Sequence, residues 1–291
     1  MNKTMSINVK KQANTSKSIS VPTLDKDYVI KPDVLATMEA ITTAGGLRNI
    51  LATGPSGCGK TDMARYLAAK TNRPYYEACV GQLVEALDLV GVKGVADGST
   101  FFHESQFVRA IETDNCLVCL DEINRAPSSV LNLLIPLLDH RGSFYVEELN
   151  RDLTVGKGVV FFATANIGSE FSGTYRLDEA LVNRFSYRYE VDYLEEEPEA
   201  SMVASRTQCG TDNAKILAKV ASSLRIKSMS FGGTLSRSVS TRQILQAGYL
   251  VANKVSIKDA LNVCVVPYYD DEGGNNSERT QCKATIGLVV G

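Results

Sequence analysis

Short apolar runs alternate with longer amphipathic segments over the first two thirds of the chain. The runs have the length of strands buried on both faces, and the segments between them repeat apolar residues with the period of a helix. Five strands are predicted, at 49–53, 75–80, 116–120, 159–163 and 186–191. Strands separated by helices indicate an α/β fold built on a doubly wound parallel sheet.

Beyond residue 192 the apolar positions follow the helical period only. Helices are predicted at about 197–206, 212–223, 241–253 and 257–264, which indicates a small all-α second domain. We therefore expect a flexible basic arm at 1–20, an α/β core at 21–192, a helical lid at 193–266 and a tail at 267–291. The arm contains lysines and no acidic residue, so a basic contact arm is the alternative to disorder. For the tail, a loose end and a strand that pairs with a partner are both open.

Two segments interrupt the alternation of strands and helices. The first, around 91–102, is rich in glycine and predicts an inserted hairpin or loop. The second, 143–155, places polar residues between two short apolar runs and predicts a β-hairpin. Phe101, Phe102 and His103 stand at the end of the first segment.

The composition changes this picture little. The chain has 291 residues, of which 44% are hydrophobic and 22% charged, and its net charge of −2 gives no overall attraction to nucleic acid or membranes. No apolar run has the length of a membrane span, and the polar amino terminus lacks a signal-peptide core. Seven cysteines without framework spacing fit a reducing compartment, so we expect a cytoplasmic protein. The Cys-x-x-Cys at 116–119 lies inside an apolar run and is interpreted as buried core.

The strongest chemical signal is the sequence Gly-Pro-Ser-Gly-Cys-Gly-Lys-Thr at 54–61, which fits the phosphate-loop template G-x-x-x-x-G-K-[ST] without a mismatch. Its glycines let consecutive backbone N–H groups surround nucleotide phosphates, its lysine reaches the β/γ-phosphates, and its threonine hydroxyl meets Mg²⁺. A predicted strand precedes the loop and a predicted helix follows it, as this role requires. The predicted nucleotide-binding residues are Gly54, Pro55, Ser56, Gly57, Cys58, Gly59, Lys60, Thr61 and Asp62. The helix N-terminus is also expected to lower the pKa of the Cys58 thiol and favour its oxidation.

Polar residues end two of the predicted buried strands. Asp121 and Glu122 follow the apolar run at 116–120, and Asn166 closes the segment after 159–163. Ligands of open α/β sheets bind at the carboxyl ends of the strands. We expect Asp121 to organise the Mg²⁺ shell together with Thr61, and Glu122 to polarise the attacking water. Asn166 is expected to orient that water, a turn-forming role being the alternative.

These motifs resemble those of AAA+ ATPases, in particular the branch that holds the MoxR proteins, the cobaltochelatase ATPase subunit (CobS) and dynein-related modules. The resemblance covers about 21–265. The matching residues beyond the phosphate loop are Asp121-Glu122-Ile123-Asn124-Arg125-Ala126, Leu133 to Leu138, Thr164-Ala165-Asn166, Gly173-Thr174-Tyr175, Leu177 to Leu181, Arg184-Phe185 and the entry segment Val21-Pro22 with Asp27-Tyr28-Val29.

The resemblance assigns roles to matching positions. It implies that Asn166 is the first sensor, that Arg184 reaches the nucleotide of a neighbouring subunit, and that Arg242 contacts the γ-phosphate as the second sensor. The family usually has proline where Arg176 stands, so Arg176 is a rival for the role of Arg184, and a surface salt bridge is the alternative for either arginine. Tyr28 and Val29 are expected over the adenine, with ordinary core packing as the alternative.

The resemblance also implies an activity and partners. We expect Mg²⁺-dependent ATP hydrolysis by a homo-oligomeric ring, most simply a hexamer, that remodels a protein partner of the kind on which CobS-like and MoxR-like ATPases act. A von Willebrand A-type protein is one candidate partner, and the two inserted segments would face the pore and the substrate. Phe101, Phe102 and His103 either face this pore or simply pack. The alternative is a ring motor acting on nucleic acid, and a nucleotide-dependent scaffold is a third hypothesis. No membrane partner is expected.

Overall fold

The computed structural model describes residues 19–96, 99–166, 177–229 and 234–291. Within them lie the strands β1 Asn49–Gly54, β2 Tyr75–Cys79, β3 Gly91–Ala96, β4 Ser99–Glu104, β5 Leu117–Asp121, β6 Ser143–Val146, β7 Arg151–Thr154, β8 Val160–Asn166 and β9 Tyr187–Glu190. The α-helices are α1 Pro32–Thr43, α2 Lys60–Lys70, α3 Ala86–Val90, α4 Gln106–Glu112, α5 Ser128–Leu138, α6 Glu179–Val182, α7 Glu196–Thr207, α8 Thr211–Met229, α9 Thr241–Ala252, α10 Ile257–Cys264 and α11 Glu278–Val290.

The five predicted strands form one sheet in the order β2-β5-β8-β1-β9, and all neighbours in it are parallel. Side chains of a strand alternate between the two faces, and this alternation divides the core in two. Ile50 and Ala52 pack with Met38 of α1 and Met63 of α2, whereas Leu51 packs with the helices of the opposite face. The doubly wound parallel sheet is thereby confirmed.

The strand order brings distant parts of the chain to one edge of the sheet. In the register of the ladders, Gly54 at the end of β1 lies opposite Asn166 at the end of β8. Asp121 at the end of β5 lies opposite Cys79 of β2. Because β5 and β8 are also neighbours, the phosphate loop and both polar strand ends meet at this edge.

A helical unit formed by α7 to α11 follows the sheet and has a core of its own. Leu217 and Ala221 of α8 pack there with Ile244 of α9. The prediction for 267–291 was wrong, because residues 278–290 form α11, neither a loose end nor a strand. Its buried residues Cys282, Thr285 and Ile286 recur at helical spacing, and two of them belong to the core of the unit. The helical region therefore extends past the boundary expected at 266.

Both inserted segments are antiparallel hairpins, β3–β4 and β6–β7. Ion pairs join them: Arg151 of β7 binds Glu104 of β4 at 2.9 Å and also pairs with Glu112 of α4, and Lys93 of β3 lies 3.6 Å from Glu148. The two hairpins are therefore neighbours on the same side of the sheet.

The described residues contain no helix with the length and apolar content that a membrane crossing requires. The Cys-x-x-Cys motif lies in the core as interpreted from the sequence, since Cys116 and Cys119 are both fully buried. Burial raises the pKa of the Cys116 thiol to about 12.

Candidate nucleotide site

The phosphate loop connects β1 to α2, and two of its glycines are required by close contacts. Gly54 and Gly57 have φ of 153° and 70°. A Cβ on Gly54 would lie 1.9 Å from the carbonyl oxygen of Val191, and one on Gly57 would lie 2.7 Å from Cβ of Ser240. Glycine is therefore needed at both positions for the left-handed backbone. It is also needed because Val191, before the helical unit, and Ser240, within it, approach the loop so closely.

Lys60 is a buried cation whose partners here are neutral. Its Nζ donates hydrogen bonds to the carbonyl oxygens of Gly54 at 3.0 Å and Pro55 at 2.6 Å, and only 6% of the residue is exposed. No ion pair among the described residues includes Lys60. Burial lowers the pKa of its ammonium group, opposed by Cys58, Asp121 and Glu122. Such a cation is poised to bind an anion at the loop.

One carboxylate oxygen links the phosphate loop to the end of β5. The hydroxyl groups of Thr61 and Thr164 both donate to Oδ1 of Asp121, at 2.7 Å and 2.6 Å. Thr164 Oγ1 also accepts the backbone N–H of Glu122 at 3.0 Å. A hydroxyl and a carboxylate are the hard oxygen donors that Mg²⁺ prefers alongside nucleotide phosphates, so Thr61 and Asp121 fit a Mg²⁺ site.

Glu122 has a left-handed backbone, with φ 54° and ψ 45°, directly after β5. Its two carboxylate oxygens accept hydrogen bonds from Asn166 Nδ2 at 3.1 Å and from Arg125 Nη1 at 3.1 Å. Asn124 in turn donates to the carbonyl oxygen of Asn166 at 2.8 Å. The side chains of Glu122 and Asn166 are thus in direct contact, as a shared role in orienting water requires.

A cleft of about 490 Å³ opens over these groups, between the sheet edge and the helical unit. Most of the predicted site residues line it: Tyr28, Val29, Ser56, Gly57, Cys58, Gly59, Lys60, Thr61, Asp62, Asp121, Glu122, Asn166 and Arg242. Gly54 and Pro55 do not line the cleft and contribute the carbonyl oxygens that hold Lys60. Arg242 is exposed in the first turn of α9.

Tyr28 and Val29 lie at the junction of the two units. The Tyr28 hydroxyl donates to the carbonyl oxygen of Gly59 at 3.3 Å, and its ring lies 5.0 Å from that of Tyr66. Burial is the main cause that raises the pKa of Tyr28. Val29 packs on the core of the helical unit. Both residues line the cleft while packing against hydrophobic side chains, so their contact with adenine stays a prediction.

Arg184 is the one predicted catalytic residue of the described chain that lies outside the cleft. It precedes β9, and its Nη1 donates to the carbonyl oxygen of Ala180 at 3.1 Å. The backbone carbonyl of Arg184 accepts a hydrogen bond from Asn49 at 2.8 Å, which fixes the position of the residue beside β1. The rival candidate Arg176 lies outside the described residues.

The expectation for the Cys58 thiol was wrong. Its pKa is raised, because burial outweighs the neighbouring Lys60 ammonium group, which lowers it. The Sγ lies 3.5 Å from the carbonyl oxygen of Val191. Burial therefore works against formation of the thiolate, which disfavours oxidation.

Several residues of the site were given no role in the sequence analysis, although Arg125 and Thr164 belong to its matching motifs. Thr164, Arg125, Arg206 and Tyr193 contact or line it. A signal existed for Thr164, because it stands two residues before Asn166 in a strand and so shares its face. Arg125 stands three residues after Glu122, a spacing that brings side chains together in a helical turn. No local pattern indicates Arg206 or Tyr193, since both approach the loop from beyond β9.

Comparison with known proteins identifies both units. Residues 49–185 match the family described as AAA domain (dynein-related subfamily), and residues 199–277 match the CbbQ/NirQ/NorQ C-terminal family. The chain is 33% identical over 254 residues to the protein named "Putative chaperone BssE" of Thauera aromatica, which covers 86% of each chain. It is 27% identical over 261 residues to Protein NorQ of Paracoccus denitrificans, covering 89% of this chain and 94% of NorQ.

Solved structures show the same fold. The RuvB Holliday junction branch migration motor of Thermotoga maritima aligns with a TM-score of 0.51 and 16% identity, over 84% of this chain and 72% of RuvB. At that identity the likeness concerns the fold alone. The family matches, the extended similarity to the Thauera protein and the phosphate-loop geometry together show that the chain belongs to the AAA+ ATPases, in the MoxR-like group of the CbbQ/NirQ/NorQ type.

Proposed function

We propose that this ATPase requires Mg²⁺, works as a ring of six copies, and uses hydrolysis to remodel a protein partner. The observation that carries the ring is the position of Arg184. Phosphoryl transfer needs a cation on the transferring group besides the phosphate-loop lysine, and arginine supplies it in related chemistry. Arg184 stands outside the cleft of its own chain, so it serves this purpose only if it reaches the cleft of a neighbour.

Within one subunit the proposed division of labour follows the contacts. Lys60 would exchange its bonds with Gly54 and Pro55 for bonds with phosphate oxygens. Thr61 and Asp121 would hold Mg²⁺, which neutralises charge on the phosphates. Glu122, kept in place by Asn166, would accept the proton of the attacking water, and Arg242 would contact the γ-phosphate from the helical unit, which we propose acts as a lid.

The partner is proposed to be a protein, because one relative bears a chaperone name and because the two linked hairpins expose apolar side chains. Val92, Val95, Phe101 and Tyr145 are 57%, 75%, 43% and 53% exposed. Exposed apolar side chains on two linked hairpins support contact with a protein surface. A von Willebrand A-type protein is the partner we propose to test first, in the cytoplasm.

The experiment begins with turnover. ATP hydrolysis should require Mg²⁺, and Glu122→Gln should bind ATP while turning it over about 100-fold more slowly, because the base is lost. Glu197→Gln, the same change at an exposed position of α7, is the matched control. Retained turnover in Glu122→Gln contradicts the assigned base.

Stimulation of ATP turnover by protein or by DNA distinguishes the two classes of partner. The proposal expects turnover to rise with a protein partner and to be unaffected by single- or double-stranded DNA. Stimulation by DNA that falls steeply with salt would instead identify a nucleic-acid motor, because counterion release makes such binding salt-dependent. Native mass spectrometry of Glu122→Gln with ATP measures the ring, and a monomer at all concentrations would contradict it.

A further inference from the structure

Tyr193 links the phosphate loop to the helical unit. It stands in the connection between β9 and α7, and its hydroxyl donates a hydrogen bond to the carbonyl oxygen of Ser56 at 2.9 Å. Ser56 is a central residue of the loop and lines the cleft. The backbone of the loop is therefore hydrogen-bonded directly to the segment that connects the sheet to the helical unit.

The ring of Tyr193 lies on a buried ion pair. The guanidinium carbon of Arg225 is 3.9 Å from the ring centroid, in the geometry of a cation–π contact. Arg225 binds both carboxylate oxygens of Glu199, at 2.6 Å and 2.8 Å, and the two residues are 5% and 0% exposed. A buried bidentate ion pair of this kind has little conformational freedom, so the Tyr193 ring packs on a rigid support.

The same ion pair holds the start of α9. The Thr241 hydroxyl donates to Glu199 Oε1 at 2.8 Å, and Arg225 Nε donates to the carbonyl oxygen of Val239 at 2.9 Å. Arg242, the next residue, lines the cleft and makes no hydrogen bond or ion pair within the described residues. The place from which its side chain enters the cleft is thus set by the first turn of α9, which the ion pair holds.

We propose that Tyr193 is a positioning residue that couples the conformation of the phosphate loop at Ser56 to the position of Arg242 at the start of α9. The path runs from Ser56 through Tyr193 to the Arg225–Glu199 pair and then to Thr241. In the proposed function Lys60 exchanges its bonds with Gly54 and Pro55 for phosphate oxygens, so phosphate binding is expected to change the loop. This difference between the free and the bound loop is what such a coupling requires.

The proposal rests on the proposed function of Arg242 in hydrolysis, and the substitution that isolates it is Tyr193→Phe. This change removes the hydroxyl and its bond to Ser56 while leaving a ring on Arg225. We expect kcat to fall about 2- to 10-fold, the range of one hydrogen bond, with the Kd of ATP changed less than about twofold. Tyr249→Phe, the same change at an exposed position of α9, should leave kcat unaltered.

A double-mutant cycle separates coupling from general destabilisation. If Tyr193 acts through Arg242, then Tyr193→Phe causes no further loss of kcat in an Arg242→Ala protein, because the group it positions is already gone. The proposal would be overturned if the losses of kcat from Tyr193→Phe and Arg242→Ala multiplied in the double variant. A wild-type kcat in both Tyr193→Phe and Tyr193→Leu would overturn it as well. Retained turnover in Glu122→Gln would instead concern the proposed function, so the two failures are distinguishable.

Tryptophan fluorescence tests the coupling without the need to measure turnover. The chain has no tryptophan, so Tyr193→Trp places a single indole between Ser56 and Arg225. When Tyr193→Trp is combined with Glu122→Gln, ATP binding should alter the loop and thereby change the emission of the indole. An unchanged emission at saturating ATP, with binding verified by equilibrium dialysis, would contradict movement of the loop at Tyr193.

Discussion

At the scale of single residues, the site depends on one hydroxyl group, that of Thr164, which makes two hydrogen bonds. Thr164 donates to Asp121 and accepts from the backbone of Glu122, so one side chain places both acidic groups. Glu122 itself adopts a left-handed backbone that costs a non-glycine residue about 1–3 kcal/mol. The bond from the Glu122 N–H to Thr164 opposes this strain, and the bonds donated by Asn166 and Arg125 hold the carboxylate at the cleft.

Thr164→Val is expected to lower the turnover of ATP about 10-fold, because a residue of nearly the same shape leaves Asp121 and the Glu122 N–H without their shared partner. The affinity for ATP in EDTA should be unchanged, since Lys60 and the loop are untouched. Steady-state kinetics and equilibrium binding measure the two effects. Thr154→Val, at an exposed position of β7, is the control. A kcat within about twofold of wild type would show that Thr164 is not needed.

At the scale of elements, the two hairpins behave as one structure because Arg151 joins them. Phe102 of β4 packs on the main core, whereas Phe101 beside it is 43% exposed. Of these two aromatic residues, therefore, one contributes to the core and the other to the surface. The ion pairs of Arg151 with Glu104 and Glu112 hold β7 against the other hairpin. All three side chains are about one third exposed, so their contribution to global stability is small.

Arg151→Gln is therefore expected to loosen the hairpins without unfolding the protein. Amide hydrogen exchange should become faster in 91–104 and 143–154, while the midpoint of global unfolding changes by no more than a few degrees. Arg141→Gln is the matched control, because Arg141 pairs with Asp139 only two residues away. Equal exchange in the two variants would show that the hairpins are held by other contacts.

At the scale of the whole molecule, the cleft belongs to both units, and the hydrolytic site is proposed to need a third contributor. The sheet edge supplies Lys60, Asp121 and Glu122, and the helical unit supplies Arg242. Arg184 does not line this cleft and lies just before β9, the strand at the end of the sheet. Assembly and hydrolysis would then be coupled, because each site is complete only next to a neighbour.

Mixing two inactive variants tests this arrangement. Arg184→Ala and Glu122→Gln should each lose turnover by about 100-fold or more. In a mixed ring, a site with an intact Glu122 meets a neighbour with an intact Arg184, so activity should return in proportion to such pairs. Each variant alone at the same total concentration is the control. Failure of the mixture to recover would assign the role to Arg176 or place Arg184 within its own site.

The sequence by itself determined the elements and the chemistry of each motif, because these depend on neighbouring residues. Five strands, the phosphate loop and the Asp121-Glu122 pair follow from apolar runs, glycines and polar strand ends. Only the tertiary structure decided which of these meet. The order β2-β5-β8-β1-β9 places Asn166 against Glu122 across 44 positions, and no local pattern contains that order.

The same reason explains the residues and elements that were missed. Tyr193 reaches Ser56 across 137 positions, and its role exists only because the helical unit returns to the loop. Helix α11 follows an acidic, glycine-rich turn typical of loose ends, and its place was decided by the core formed by α8 and α9. Local sequence specifies what a segment forms, whereas packing between distant segments decides what it contacts and therefore what it does.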